Sequence, residues 1–280
     1  MIDREQAFVA FQRLLPTLAL TGLAHRLAQS EALGPTLIRQ AIRAFDIDMS
    51  EAAEPDPAAY PTFNAFFVRA LREGARPLAE EPALISPVDG RISQIGSIEQ
   101  GRILQAKGRD FSVEELLDDA EAAKAYEGGR FATIYLAPSN YHRIHTPLAG
   151  RLASARYIPG RLLAVNPPTV RAAARLFSRN ERMACHFQTE QAGPWAIVLV
   201  GALLVSGIET VETGVVTPPH GGQARDWSWE NPRAYERGEE LGRFNYGSTV
   251  VLLLPPNWRW LPDAVPGAAV RMGQALGAPS

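Results

Sequence analysis

Cysteine occurs once in these 280 residues, at Cys185, which excludes an internal disulfide and any cysteine-rich zinc site. A reducing compartment is the natural expectation. Lysine is nearly missing too: only Lys107 and Lys124 are present, and the remaining basic residues are arginine. Pyridoxal phosphate must be carried as a Schiff base on lysine, and neither lysine sits in an obvious phosphate-binding loop, so that cofactor is not expected. There is no excess of one charge. A formal net charge of -2 gives no broad basic field of the kind that binds nucleic acid. Long hydrophobic runs are lacking as well. The longest early uncharged run, residues 14–24, contains Pro16 and lies between Arg13 and the His25-Arg26 pair. It falls short of the roughly 20 residues that span a bilayer, so the chain is not expected to cross a membrane. Asp3 and Glu5 flank Arg4 and no small-residue cleavage site follows, so no secretory signal is expected. Internal repeats and low-complexity tracts are absent.

What is present is ordinary globular material, 46% hydrophobic and 21% charged. Residues 1–45 read as short helices separated by Pro16 and Gly34-Pro35, with Phe8, Phe11, Leu15 and Leu18 at helical spacing. Arg4, Arg13, Arg26, Arg39 and Arg43 interleave with them. Such a segment either packs on the protein's own core or lies in a membrane interface. Residues 49–61 form a loop, and Thr62 caps a helix over residues 63–71, for which docking by Phe63, Phe66 and Phe67 is a sufficient account. From residue 84 the pattern becomes short strands, with helices predicted over 113–126 and 168–177. The run 195–204 is apolar on both faces and should be central in a sheet. The fold class expected is α+β: an N-terminal layer of amphipathic helices (1–48) and a β-rich domain of mostly antiparallel strands (62–280).

The chemistry-bearing residues are few. Among five histidines, His142 and His145 alone are paired, just beyond a strand; His186 and His220 read as structural and loop residues. A His-x-x-His pair can bind metal, but no third ligand or carboxylate-rich surround is identifiable, so no metal is expected. Asn245-Tyr246-Gly247-Ser248-Thr249 precedes the wholly apolar run 250–254. Gly247 allows close approach to the peptide bond before Ser248. A carboxylate, an imidazole and a hydroxyl, here Asp89, His145 and Ser248, can form a nucleophilic triad. Residue types alone do not decide it.

Six stretches carry a resemblance: Thr62-Phe63-Asn64-Ala65-Phe66-Phe67-Val68-Arg69, Ser86-Pro87-Val88-Asp89-Gly90, Ile103-Leu104-Gln105-Ala106-Lys107-Gly108, Tyr141-His142-Arg143-Ile144-His145, Arg179-Asn180-Glu181-Arg182 and Gly247-Ser248-Thr249. In this order they resemble the prokaryotic phosphatidylserine decarboxylases. Tyr246 departs from that family's usual leucine, while the Gly247-Ser248 bond is unaltered.

The resemblance implies a proenzyme that cuts itself between Gly247 and Ser248. Asp89 would orient His145, His145 would deprotonate Ser248, and the serine oxygen would attack the Gly247 carbonyl. The ester so formed would eliminate to dehydroalanine and hydrolyse to a pyruvoyl group, leaving a 1–247 chain and a 248–280 chain. The pyruvoyl carbonyl would condense with the amine of phosphatidylserine, carbon dioxide would leave, and His142 would donate the proton or position the carboxylate. A peripheral enzyme is then expected on the cytoplasmic face of the bacterial inner membrane. Residues 1–45 would lie on anionic lipid, and two processed protomers would form a homodimer. The rival readings are a serine hydrolase using the same three residues on an external ester, disfavoured by the lack of a Gly-x-Ser-x-Gly elbow, and a non-catalytic membrane-surface protein.

Overall fold

The structure, a computed structural model, describes residues 4–106, 108–189, 193–204, 207–245 and 249–280. The fold is α+β with antiparallel sheets, as the patterning predicts. Its centre is the strand Thr249–Leu254, every residue of which is buried. Val250, Leu252 and Leu254 point into one core cluster, and Val251 and Leu253 into another on the opposite face. A strand with two dry faces must be a continuous apolar run, and this one is. It pairs antiparallel with Trp195–Val200 on one edge and Arg130–Tyr135 on the other. Each of its five aliphatic side chains contributes about 1.5–3 kcal/mol by burial.

The sheet around it runs Arg225–Ser228, Gly150–Ile158, Arg182–Gln188, Trp195–Val200, Thr249–Leu254, Arg130–Tyr135, Gly90–Ser97 and Ala269–Val270. A smaller sheet places Arg143–His145 beside Glu240–Phe244. The helix predicted over 63–71 ends at Phe67, and two other predicted helices are broken. Asp118 takes a left-handed conformation (φ 54°) and splits 113–126 into Val113–Leu117 and Ala120–Lys124. The predicted helix 168–177 is interrupted at Ala173, which is extended (ψ 127°) and ends Pro167–Ala172, and Leu176–Arg179 restarts after the left-handed Arg175 (φ 53°). Aspartate, with its short polar side chain, tolerates the left-handed region, and hydrophobic periodicity registers neither break.

Two of the resembling stretches prove to be buried clamps. Gln105 donates from Nε2 to the carbonyls of Val170 and Ala173, both at 2.7 Å, and accepts from the amide of Leu176 at 2.7 Å. It therefore closes the gap between two short helices. Asn180 binds both the amide and the carbonyl of Leu163 and the carbonyl of Gly201. Arg182 caps the carbonyls of Glu115 and Leu116.

The N-terminal helices are Arg4–Leu14, Thr17–Ala28 and Gly34–Phe45; Pro16 separates the first two as expected, whereas Gly34-Pro35, read as a break, opens the third, where proline at a first-turn position is tolerated. The first two dock through polar residues. Buried Gln12 donates to Thr169 Oγ1 at 3.1 Å and accepts from the Ala164 amide at 2.8 Å, and buried Thr21 accepts from the Leu204 amide. Their large apolar side chains face outward. The third helix packs Ile38 and Ala41 against Phe66.

Replacing Gln105 with alanine should lower stability by about 3 kcal/mol, because three buried backbone groups lose their partners at once. Urea or thermal unfolding measures this; a change below about 0.5 kcal/mol would mean the clamp is dispensable.

Candidate active site

Four segments converge at the head of the central strand. The strand Arg143–His145 carries His145, and its amide donates to the Pro87 carbonyl at 2.9 Å, bringing the Asp89 turn alongside. Gly90 lets that turn close: a Cβ there would lie 2.5 Å from the Tyr135 carbonyl oxygen. The strand Glu240–Phe244 takes His142 beside it, its Phe244 amide donating to the His142 carbonyl at 3.0 Å. The helix Phe63–Phe67 reaches in from the N-terminal side. Gly247 and Ser248 lie outside the described residues, as does Lys107; Asn245 and Thr249 bracket the Gly-Ser bond.

His145 is buried, and both ring nitrogens are engaged. Nδ1 lies 2.8 Å from the Gly238 carbonyl, which can only accept, so Nδ1 carries the proton. Gly238 itself sits at φ +84°, a conformation that suits glycine. Nε2 is then an acceptor, and the Tyr141 hydroxyl donates to it at 3.0 Å. Burial lowers the His145 pKa, while the Gly238 contact, Glu240 and Asp89 oppose the shift.

Asp89 is not hydrogen-bonded to His145. Its carboxylate is gripped by Arg76, from Nε at 2.9 Å and Nη2 at 2.5 Å, and it accepts from the Met272 amide at 2.8 Å. Arg76 is shared with Glu51 at 2.8 Å, and the two carboxylates raise its pKa. Asp89 and His145 are therefore neighbours linked by field, and a backbone carbonyl holds the tautomer that the sequence reading gives to the carboxylate.

His142 is fully buried. Its Nδ1 donates to the Asn140 carbonyl at 2.8 Å, and its ring packs 4.0 Å from that of Phe67. Nε2 is buried without a hydrogen-bond partner. Desolvation pushes its pKa down to about 3, with a smaller push from Arg69. The imidazole is neutral at rest, with an acceptor lone pair in a dry pocket.

The helix Phe63–Phe67, read from sequence as a phenylalanine-docked element, belongs to the site. Asn64 donates to Asn245 Oδ1 at 3.2 Å, and Asn245 donates onward to Glu209 at 3.3 Å, fixing the residue before Tyr246. Arg143 ties the same segment in, donating to the Val68 carbonyl at 2.9 Å. Sequence reasoning also missed Tyr141, Gly238 and Arg76, whose roles depend on contacts between distant segments. His220, read as a loop residue, is a buried partner of Glu181 at 2.9 Å, away from this site. Among the described residues no cluster of three His, Cys, Asp or Glu side chains could hold a metal ion.

Because the folded His142 has the lower pKa, acid favours the unfolded chain: nothing is lost above pH 6.5, and stability falls as pH drops below it. The loss from this group should reach about 2 kcal/mol at pH 5 and stop growing below about pH 3. Unfolding of wild type and His142→Gln between pH 7 and 5 should show a shallower decline in the variant. Equal slopes would place a protonated imidazole in the native state.

A family model for phosphatidylserine decarboxylase matches residues 63–278, and one described as PSD matches residues 7–46. A protein of Marinobacter nauticus named phosphatidylserine decarboxylase proenzyme is 50% identical, over 99% of this chain and 98% of its own. One of the same name from Xanthomonas oryzae pv. oryzae is 52% identical, over 94% and 95%. A third, from Chromobacterium violaceum, is 50% identical, over 97% and 99%. This chain belongs to the phosphatidylserine decarboxylase family.

Proposed function

We propose that this protein decarboxylates phosphatidylserine to phosphatidylethanolamine after cutting its own chain between Gly247 and Ser248. The observation that carries the reading is the pair of buried imidazoles, each with Nδ1–H held by a carbonyl and Nε2 left as the acceptor. The two acceptors suit two separate proton transfers.

In the cut, His145 takes the Ser248 proton at Nε2. The serine hydroxyl replaces that of Tyr141, a group of like chemistry already in hydrogen bond there. Asp89, close enough for its charge to favour protonated His145, stabilises the imidazolium. The serine oxygen then attacks the Gly247 carbonyl, and the Ser248 nitrogen leaves with the proton from His145; elimination of the resulting ester would free the Gly247 carboxylate and leave dehydroalanine, whose hydrolysis to the pyruvoyl group would release ammonia. The products are chains of 247 and 33 residues. The short one keeps the strand Thr249–Leu254, hydrogen-bonded on both edges, so its new end stays where it was made.

A pyruvoyl group derived from Ser248 fits the surroundings, which hold a buried unpartnered acceptor on His142 and an unpartnered hydroxyl on the adjoining Thr249. That carbonyl supplies an electron sink for the carbanion left as carbon dioxide departs. His142 is neutral in the empty pocket; an anionic headgroup beside it favours the imidazolium. Nε2 then accepts the proton shed by the substrate ammonium and returns it to the substrate carbon after carbon dioxide has left. The hydrophobic wall of Phe67 keeps water from that proton.

The lipid is reached from the bilayer surface. No single described helix is long and apolar enough to cross a membrane; Arg4–Leu14 and Thr17–Ala28 pass by length and composition only as a pair bent by 78°. Phe11 (57% exposed), Leu14 (84%) and Leu23 (52%) project outward, with exposed Arg4, Arg13 and Arg26 among them. An apolar face ringed by arginines suits an anionic lipid interface and a peripheral protein. The cytoplasmic face and a dimer of processed protomers complete the reading.

Mass spectrometry of the purified protein should find the two chains, the short one lacking a free amino terminus, and Ser248→Ala should stay whole and inactive. Full activity in an uncut chain would overturn the mechanism. Phe11→Glu combined with Leu14→Glu should reduce co-sedimentation with phosphatidylglycerol vesicles by about tenfold or more, with little change in stability. Undiminished co-sedimentation would remove the membrane role of these helices.

A further inference from the structure

Arg69 follows the helix Phe63–Phe67 and is 95% buried, its residue exposure being 5%. No carboxylate is bonded to it. Nε and Nη1 are buried without a hydrogen-bond partner, and the one polar contact is a long 3.4 Å bond from Nη2 to the Ser139 carbonyl. Its guanidinium also lies over the Phe66 ring, 5.3 Å from the centroid. Asp89 and Asp48 act on it only at a distance, and Asp89 is committed to Arg76 and the Met272 amide. A guanidinium is a rigid fork of donors that matches the oxygens of a single oxyanion. One buried with two donors empty is strongly disfavoured unless something else completes it.

Its place says what completes it. Ser139 and Asn140 belong to one turn; the first receives Arg69 and the second fixes His142. The same helix sets Phe67 on the His142 ring and Asn64 on Asn245. The unfilled fork and the unpartnered Nε2 of His142 are thus set by the same helix and the same turn, an anion receptor near a proton acceptor.

We propose that Arg69 is a specificity-determining residue of the decarboxylase, taking an oxyanion of the substrate headgroup on its free edge. The inference rests on the decarboxylase reading above. Phosphatidylserine carries two oxyanions, a carboxylate and a phosphodiester. Charge disperses from the carboxylate as carbon dioxide leaves, so a guanidinium on it would stabilise the ground state more than the transition state. The phosphodiester keeps its charge from substrate to product. Its binding holds the serine moiety against His142 at no cost to the chemical step, and we assign it to Arg69.

The test compares processed wild type, Arg69→Lys and Arg69→Gln, with cutting checked by mass spectrometry. Calorimetry measures binding of glycerophosphoethanolamine, which has the phosphodiester but no carboxylate, and of L-serine, which has the carboxylate alone. Arg69→Gln should weaken the first about tenfold or more and the second less than about twofold, with Arg69→Lys between. KM for short-chain phosphatidylserine should rise by a similar factor while kcat changes less. The reverse selectivity would keep Arg69 as the anion receptor and move the carboxylate onto it. Unchanged binding of both probes in Arg69→Gln would overturn the proposal. So would failure of both variants to cut, which would assign Arg69 to self-processing. Wild type that stays uncut would instead defeat the underlying reading.

Discussion

A chain end generated inside a protein normally frays, because a terminus has few neighbours to hold it. The strand Thr249–Leu254, on which this structure depends, is held firmly enough to keep a chain end beside it in place. It has sheet partners on both edges and core on both faces, so leaving the sheet would expose six buried residues and break two ladders. Register follows from the same constraint, since a one-residue slip would exchange the two aliphatic faces. Thr249 therefore stays opposite Tyr135 and Val200. The preceding segment is anchored separately, through Asn245 to Asn64 and Glu209. The chain is thus held on either side of residues 246–248, at Asn245 and at Thr249.

Fixed geometry also decides what the histidines can do. Both sit in desolvated surroundings that favour the neutral ring, and in both a backbone carbonyl selects the tautomer. A carbonyl orients an imidazole without adding charge. Asp89 is thereby free to be neutralised by Arg76 while its residual field still reaches His145. The arrangement differs from a hydrogen-bonded carboxylate-imidazole pair in where the negative charge is kept. It lies in a part-buried network of Glu51, Arg76 and Asp89 that also clamps the Met272 amide of the C-terminal segment.

Much of this was legible in the residues. The central strand announced itself as an apolar run, the three N-terminal helices by their spacing, and His142, His145 and Asp89 by the company they keep in sequence. What could not be read was contact between remote segments. Nothing local in Gly238 marks it as the acceptor for His145, and Tyr141 carries no sign that its hydroxyl occupies Nε2. The segment 62–69 illustrates the limit best. Its phenylalanines have the spacing of a docking face, and they do dock, but Phe67 docks on His142. The helices predicted over 113–126 and 168–177 are interrupted by backbone, left-handed at Asp118 and extended at Ala173, that leaves the hydrophobic period undisturbed.

The N-terminal helices show why amphipathicity alone left two readings open. Periodicity locates an apolar stripe but does not say which medium the stripe faces. Here the stripe is turned away from the protein, and the inward face is made of Val9, Gln12, Thr21 and Ala28. Gln12 and Thr21 bind backbone groups around Ala164 and Leu204, so the helices are secured by directional hydrogen bonds with few buried hydrocarbons. That division has a physical logic. Hydrogen bonds to buried backbone hold position in any surroundings, leaving the hydrocarbon free for an outside apolar phase. The opposite orientation would bury Phe11 and Leu14 against the protein, and the observed one leaves them exposed.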